Sequence, residues 1–511
     1  MRPADPSEAS ARLDAAVRSA DWVTACDMLD EEWVELLQDS PSALLNALDR
    51  IPRAELERRP RLLLSREYVA RSLGRDDHSS AYRMVRAATA PRDDRDRLAT
   101  LTVQIAAARS AGRGRESVRL VAEAHAILEA RPTIGDLASL LPEFQYQWGL
   151  ALERAGEFDH ALLDYREGFG RAEAVGHRMM QAATAGASAY LHALHGRGVL
   201  ARRWLDRVPA VGPTDWWSPA MLVQARLASA LLRDVELEPP VGDPLEGVES
   251  NDAMRHWAAA FWVRTLAVGG PRPARLLRIE LDSYLATLPA GQRADDVNAD
   301  YLTLMRSMLP GRALGEADHG EQSREPTGLL PQLHQAVRAV YLARSGRASL
   351  ALALAEPLLR VGEERPAVLL LALAASAVAT DDRERRDGLL AEAVAVARAQ
   401  RCFSPLTALD DDLRSAAARQ LAASGEEAVA ARLQQRRRLP SRPALLALTN
   451  RERDVAERAA AGESAAEIAA ALFVSVNTVK TQLRHVYRKL GVSSRSELLR
   501  RHDDADGAAQ S

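Results

Sequence analysis

Apolar residues in this chain recur at three- and four-residue steps, and the runs are cut by Gly or Pro roughly every 15–20 residues. Runs of this kind cover 13–29, 118–128, 146–154, 161–172, 222–232, 333–343 and 350–356. Breaks fall at Gly74, Gly112, Gly156, Gly176, Pro213, Gly270, Pro310, Gly346 and Pro366. Strand-like alternation is almost absent, and Ala, Leu, Arg and Glu dominate, all good helix formers. The expected fold class is therefore all-α. Helices stopped at this rhythm fit short antiparallel pairs stacked in series, a solenoid, over residues 1–431.

One stretch is sharper than the rest. Trp148, Gly149, Ala151, Leu152, Gly156, Phe158, Ala161 and Tyr165 follow a spacing that resembles a tetratricopeptide (TPR) repeat. Gly149 and Ala161 are the small residues expected where two helices cross. Gly156 is the expected tight turn, and Phe158 and Tyr165 are expected to fill the groove between repeats. Weaker copies run through Leu342, Gly346 and Ala351 and through Ala20, Trp22, Ala25 and Leu29. Segments 234–251 and 310–327 read as long loops that could separate lobes of the body.

Several residues in the body invite a functional reading and have a plainer one. His192 and His195 lie three apart on a helix, but no Cys or third His stands at ligand spacing, so they read as core or surface histidines. Trp257, Phe261 and Trp262 read as core at helical spacing, and Trp216 and Trp217 as packing between repeats. Asp410, Asp411 and Asp412 read as acids at a helix N-terminus, where the dipole favours them.

The chain has 511 residues and 67 Lys or Arg, yet only Lys480 and Lys489 are lysines. With no lysine before position 480, the chain has no P-loop lysine, no kinase ion pair and no Schiff-base lysine in the body. A phospho-acceptor receiver domain is disfavoured for the same reason. Cys26 and Cys402 are the only cysteines, which argues for a reduced compartment and against a disulfide framework. The first residues lack an apolar signal core, and the apolar stretch 367–380 falls short of the roughly 20 residues a bilayer requires. A cytoplasmic protein without membrane contact is expected. No nucleophile–base pair, metal cluster or phosphate loop is evident, so neither an enzyme nor a resident cofactor is expected.

Charge is distributed unevenly. Residues 432–501 hold 15 Arg or Lys against 6 Asp or Glu, while residues 1–431 hold 52 against 61. A basic segment on an acidic body suits a polyanion partner for that segment. The C-terminal region from 432 divides into a basic linker at 432–443, a module at 444–503 and an acidic tail at 504–511. Within the module, Thr449 with Glu452, Ser464 with Glu467, and Ser493 or Ser494 with Glu497 have capping-box spacing, and Gly462 and Gly491 are stops. A further helix begins near Val476 with Ser475 as its cap. Val476, Val479, Leu483, Val486 and Leu490 form one apolar stripe along it, facing Ile468 and Leu472 of the preceding helix. Its other side carries Asn477, Lys480, Thr481, Arg484 and Arg488. A short helix, a turn and a helix with a cationic outer face is the helix-turn-helix plan for entering a DNA major groove.

These residues resemble the LuxR/GerE-type helix-turn-helix family. The likeness runs through Leu448-Thr449-Asn450-Arg451-Glu452, Gly462, Ser464, Glu467-Ile468-Ala469, Leu472, Ser475, Thr478-Val479-Lys480 and Lys489-Leu490-Gly491-Val492 with Arg495. Gln482 stands where the family usually has His. The resemblance implies a four-helix domain in which Lys480, Thr481 and Arg484 face bases. It places Ser475, Thr478, Gln482 and Lys489 nearer phosphates, with Asn477, Arg488 and Arg495 also on the DNA side. It implies a dimer contact through Leu498 and Leu499. The start of the body, from Ala20-Asp21-Trp22 through Ile51-Pro52 to Arg59-Pro60-Arg61-Leu62, resembles the helical-repeat domain of MalT-like large regulators. Those carry an ATPase domain ahead of the repeats, and this chain reads as the repeat and DNA-binding parts alone.

The function expected is that of a sequence-specific transcriptional regulator. Its partners would be promoter double-stranded DNA, bound as a homodimer, and RNA polymerase or other transcription machinery, with a small-molecule inducer or a protein partner on the helical body. The rival reading is a TPR-type interaction scaffold with a vestigial DNA-binding module.

Overall fold

The computed structural model describes residues 8–57, 93–131, 135–212, 215–242, 256–266, 271–287, 296–308, 328–360, 364–436, 463–472 and 474–490, with isolated positions between these stretches. Every regular element among the described residues is a helix. The chain divides into two compact units. One comprises Met1–Arg233 with Val241–Ala260 and Leu288–Tyr301; the other comprises Asp234–Pro240, Phe261–Thr287 and Leu302–Ser511.

The first unit opens with short helices, Glu8–Arg18, Trp22–Glu31, Trp33–Asp39 and Pro41–Arg50. Three helix pairs follow: Asp94–Ser110 with Gly114–Glu129, Leu141–Arg154 with Phe158–Ala174, and Arg178–His195 with Gly198–Leu205. The members of each pair pack on each other, and links this short make them antiparallel. Leu141–Arg154 also packs against the first helix of the pair before it and of the pair after it, which is stacking in series.

Tyr165, expected in the groove between repeats, instead packs on Gly149 within its own helix pair. A Cβ on Gly149 would lie 2.4 Å from Tyr165 Cε1, so the ring of one helix rests directly on the backbone of the other. Trp148 and Ala161 are buried. Phe158 meets the His195 ring edge-on, at 6.4 Å between centroids, in the next pair. Gly156 takes φ +82°, and Glu157 N–H donates to Leu152 O at 2.9 Å, closing the helix with a left-handed glycine turn. Gly346 closes its helix in the same way, whereas in the first copy the left-handed position is occupied by Ala20, at φ 57°.

The second unit repeats the pairing with Leu329–Arg344 and Ala348–Leu359, Pro366–Ala379 and Arg383–Gln400, and Asp411–Ala423 and Glu427–Gln435. Pro366–Ala379 is apolar all round because neighbours cover nearly every residue of it. No helix among the described residues is long and apolar enough to cross a membrane.

Asp234 and Val235, read as the start of a loop, end the helix Val223–Val235. Arg436 donates to Asp234 Oδ1 at 2.5 Å and to its backbone O at 2.9 Å, and Phe403 N–H donates to Val235 O at 2.6 Å. Residues 432–436, read as linker, lie on the helix Glu427–Gln435 and its cap; Leu433 is buried, and the Asp234 contact explains why Arg436 is not a free linker charge. Burial pushes the Asp234 carboxyl above its usual range, and Arg436 opposes that shift. The loop at 310–327 lies outside the described residues.

The tempting residues of the body are structural. His195 Nδ1–H donates to Leu191 O at 2.7 Å, and burial pushes the neighbouring His192 down to about 3. Among the described residues no group of three His, Cys, Asp or Glu is placed to hold a metal. Trp217 is buried, and Trp216 donates to the carbonyls of Leu37 and Gln38 at 3.2 Å each. Trp257, Phe261 and Trp262 are each buried. Asp410 caps the helix Asp411–Ala423, accepting from Leu413 N–H at 2.9 Å.

Candidate nucleic-acid interface

Ser464 and Glu467 set the start of the first described helix of the C-terminal module, Ala465–Ala471. The Ser464 side chain accepts from Glu467 N–H at 3.3 Å, and Glu467 Oε2 accepts from Ser464 N–H at 2.6 Å, which is a complete capping box. Leu472 caps its end, and Val474 N–H donates back to Ala469 O at 3.0 Å. That tight turn leads into the helix Val476–Leu490. Ser475 starts it: its Oγ accepts from Thr478 N–H at 3.1 Å and lies 2.8 Å from Thr478 Oγ1.

Ile468, Val479 and Val486 are buried with Val455, Ala456, Ala459 and Ala469, and Leu472 and Leu483 pack against that cluster. This holds the two helices at a fixed angle. Val476 departs from the expected stripe, being 39% exposed. It is the first residue of its helix and lies about 60° around the axis from Val479, at the stripe's edge.

The opposite arc is exposed. Asn477, Lys480, Thr481 and Arg484 share it, all solvent-facing, and Val476–Leu490 contains no Asp or Glu. At about 1.5 Å per residue the helix is roughly 22 Å long, enough to lie across a major groove about 12 Å wide. Lys480 and Arg484 are one helical turn apart on the arc, a spacing that suits successive base or phosphate positions. Thr481 Oγ1 donates its proton to Asn477 O at 2.9 Å, so the group it offers outward is a methyl and an acceptor lone pair. Such a group suits a thymine methyl better than a phosphate oxygen, because phosphate accepts and does not donate. Ser475 and Thr478 are exposed at the helix N-terminus, where backbone N–H groups favour an anion, and Gln482 is half-buried beside the arc.

His485, also exposed on this helix, was not among the residues singled out from sequence, although a helical-wheel projection places it off the stripe. Arg488, Lys489 and Leu490 lie on the helix, and their side chains are outside what the structure describes. The first capping box at Thr449 and Glu452, Arg495, Leu498, Leu499 and the acidic tail lie outside the described residues.

Comparison with known proteins agrees with this geometry. The sequence pattern of bacterial regulatory proteins of the luxR family matches residues 446–501. A putative HTH-type transcriptional regulator of Mycobacterium tuberculosis is 44% identical over 92 residues, 18% of this chain and 10% of that protein. The probable transcriptional regulatory protein NarL of the same organism is 48% identical over 54 residues, 11% of this chain and 25% of its own. The probable HTH-type transcriptional regulator GfsR of Streptomyces halstedii is 46% identical over 56 residues, 11% of this chain and 23% of that one. The chain thus spans between about a tenth and a quarter of the length of these relatives. No solved structure matches it. A capped short helix, a tight turn and a buried-stripe helix with an acid-free outer arc, inside the matched segment, place residues 446–501 in the luxR family as its helix-turn-helix domain.

Proposed function

We propose that the chain is a sequence-specific transcriptional regulator. The helix Val476–Leu490 enters the major groove of promoter DNA. Lys480, Thr481 and Arg484, with Asn477 beside them, face base edges. Ser475, Thr478, Gln482, Arg488, Lys489 and Arg495 face the phosphate backbone. Two chains bind a palindrome through a contact that includes Leu498 and Leu499. The helical body is a TPR-like, MalT-like repeat domain that senses an inducer or partner and sets how the DNA-binding module is used. Output passes to RNA polymerase by contact, in the cytoplasm, without turnover of a substrate. The linker at 437–443 and the tail at 504–511 lie outside these roles.

The observation that carries this reading is the acid-free exposed arc of Asn477, Lys480, Thr481 and Arg484 on a helix whose other side is buried. Its test is selection of the full chain on random-sequence DNA at about 150 mM salt, where nonspecific phosphate attraction is much reduced. Enrichment of one palindrome supports the reading. Binding with no preferred sequence, unchanged in Lys480→Ala and Arg484→Ala, rejects it in favour of a scaffold.

A further inference from the structure

Val476 stands in the open where neither the core nor the helix requires it. Among the described residues of the C-terminal module, Leu472, Val474, Leu483 and Tyr487 pack against the cluster that buries Ile468, Val479 and Val486. Val476 is the exposed one among the Val, Leu and Ile residues described there, at 39%. It holds the first position of the helix Val476–Leu490. Proline or an acid is favoured at that position, and a β-branched residue brings a modest helix propensity. Local helix stability therefore does not account for a valine here, and burial does not either.

Its position on the helix is shared with the two exposed cations. Val476, Lys480 and Arg484 follow one another at four-residue intervals and form a single ridge. Successive members are about 40° apart around the axis and about 6 Å apart along it. Val476 is thus closer around the axis to Lys480 than to the buried Val479, which is about 60° away. Its Cβ leans toward the helix N-terminus, the end that a recognition helix sets against base edges. A valine side chain offers no donor, acceptor or charge, and in a helix it is held in one strongly preferred rotamer. The apolar group that a major groove presents to such a side chain is the C5-methyl of thymine. A rise of about 6 Å against 3.4 Å per base sets Val476 about two base steps beyond Lys480 along the ridge. Thr481, whose methyl also faces outward, lies about 140° around the axis from Val476, so the two methyl-bearing side chains do not converge on one base.

We propose that Val476 is a specificity-determining residue that reads the methyl of a thymine about two base steps from the base pair read by Lys480. The inference rests on the reading of Val476–Leu490 as the helix that enters the major groove. It adds to that reading a base contact made by a side chain with neither charge nor hydrogen-bonding group.

The test titrates the full chain against its selected site with each thymine replaced in turn, in both half-sites, by deoxyuridine, which lacks only the methyl. The wild type is expected to lose about fourfold in affinity per half-site at the thymine in question, the size of one methyl taken out of water. Val476→Ser is expected to bind the thymine and deoxyuridine forms of that position alike and to respond as the wild type does at the others. Val476→Ile keeps an aliphatic side chain and is expected to keep the preference. The base relaxed in Lys480→Ala supplies the register, and Thr481→Ser is expected to act at a different thymine. Helicity and Tm check that Val476→Ser is folded, and the helix-favouring Val476→Ala is read in the same way if it is not. Wild-type sensitivity of Val476→Ser to every deoxyuridine change overturns the inference, while the selected site leaves the regulator reading standing. An equal loss on every sequence, unrelated DNA included, also overturns it and assigns Val476 to the fold or the backbone. So does a loss at the thymine that Thr481→Ser affects, or a selected site with no thymine at the expected step. A chain that selects no sequence at all loses the regulator reading and this inference together.

Discussion

The Trp33 indole N–H donates to Glu143 Oε1 at 2.6 Å, across 110 positions of sequence. The same oxygen lies 3.2 Å from His177 Nε2, so one buried carboxylate joins the N-terminal helices, the Leu141–Arg154 helix and the turn before Arg178–His195. Trp33→Phe keeps most of the buried ring and removes the donor. It is expected to cost about 1–3 kcal/mol, the usual penalty for leaving a buried acceptor without one of its partners. Equilibrium denaturation should show the loss as a lower midpoint, and an unchanged midpoint would show that His177 alone satisfies Glu143.

Glu153 gives a pH dependence with a defined sign. The groups facing it are Tyr165, Gln224, Arg154, Arg109 and His256, and burial outweighs them to lift the carboxyl from 4.5 to about 7. The native state then holds a proton that the unfolded chain has released between those two values, so this group's contribution falls as pH rises through that window and is level above it. The difference amounts to about 3 kcal/mol at most. Glu153→Gln keeps an acceptor for Tyr165 and Gln224 without the charge. It is expected to be more stable than the wild type at about pH 8 and to lose that advantage near pH 4.5. Comparing variant with wild type removes the other buried groups, including His192, whose contribution runs the opposite way. A constant difference across the range would place the Glu153 carboxyl at its ordinary value.

Gly149 and Tyr165 make a second packing test. Ala at an interior helix position normally gains about 1 kcal/mol over Gly. Here its methyl would sit 2.4 Å from Tyr165 Cε1 and 2.6 Å from Cδ1, and the ring is pinned by the bond from its hydroxyl to Glu153. Overpacking of this kind costs about 1–3 kcal/mol or somewhat more, so Gly149→Ala is expected to destabilise on balance. Tyr165→Leu has its own cost, but the double variant should lose less than the two single ones combined, because the clash is gone. Strict additivity in urea unfolding would mean that the two positions do not touch.

What could be read before the fold was known is what depends on local spacing. Gly149 and Gly156 sit in one helix pair, so their roles follow from positions a few residues apart. The Ser464–Glu467 box and the Val479–Val486 stripe are equally local, and both are present. The Trp33–Glu143 and Asp234–Arg436 bonds are not local. They depend on which faces of distant helices meet, and no spacing encodes that. A cavity beside Glu153 was invisible for the same reason, since its lining comes from segments up to 192 positions apart, from Arg109 to Tyr301. Val476 shows the limit of periodicity itself: it has the apolar spacing, but it stands at the edge of the stripe and stays exposed.

On the proposed reading, the helix Val476–Leu490 makes two kinds of contact with DNA. Lys480 and Arg484 lie one turn apart on the exposed arc, opposite the buried Val479 and Val486. If they read base edges, Lys480→Ala or Arg484→Ala should each cost about 1–3 kcal/mol at the selected site and relax the preference at one position of it. If Lys489 contacts phosphate as proposed, Lys489→Ala should weaken all sequences alike and reduce the salt slope of binding by about one. Thr481→Val keeps the methyl and drops the hydroxyl that is already spent on Asn477 O, so it should bind almost as the wild type does. Thr481→Ser keeps the hydroxyl and drops the methyl, and should lose discrimination for a thymine. Fluorescence-anisotropy titrations against the selected site, its single-base variants and unrelated DNA, at two salt concentrations, resolve these patterns. Equal losses on every sequence for Lys480→Ala and Arg484→Ala would move both residues to the backbone and leave base reading to other positions of the helix.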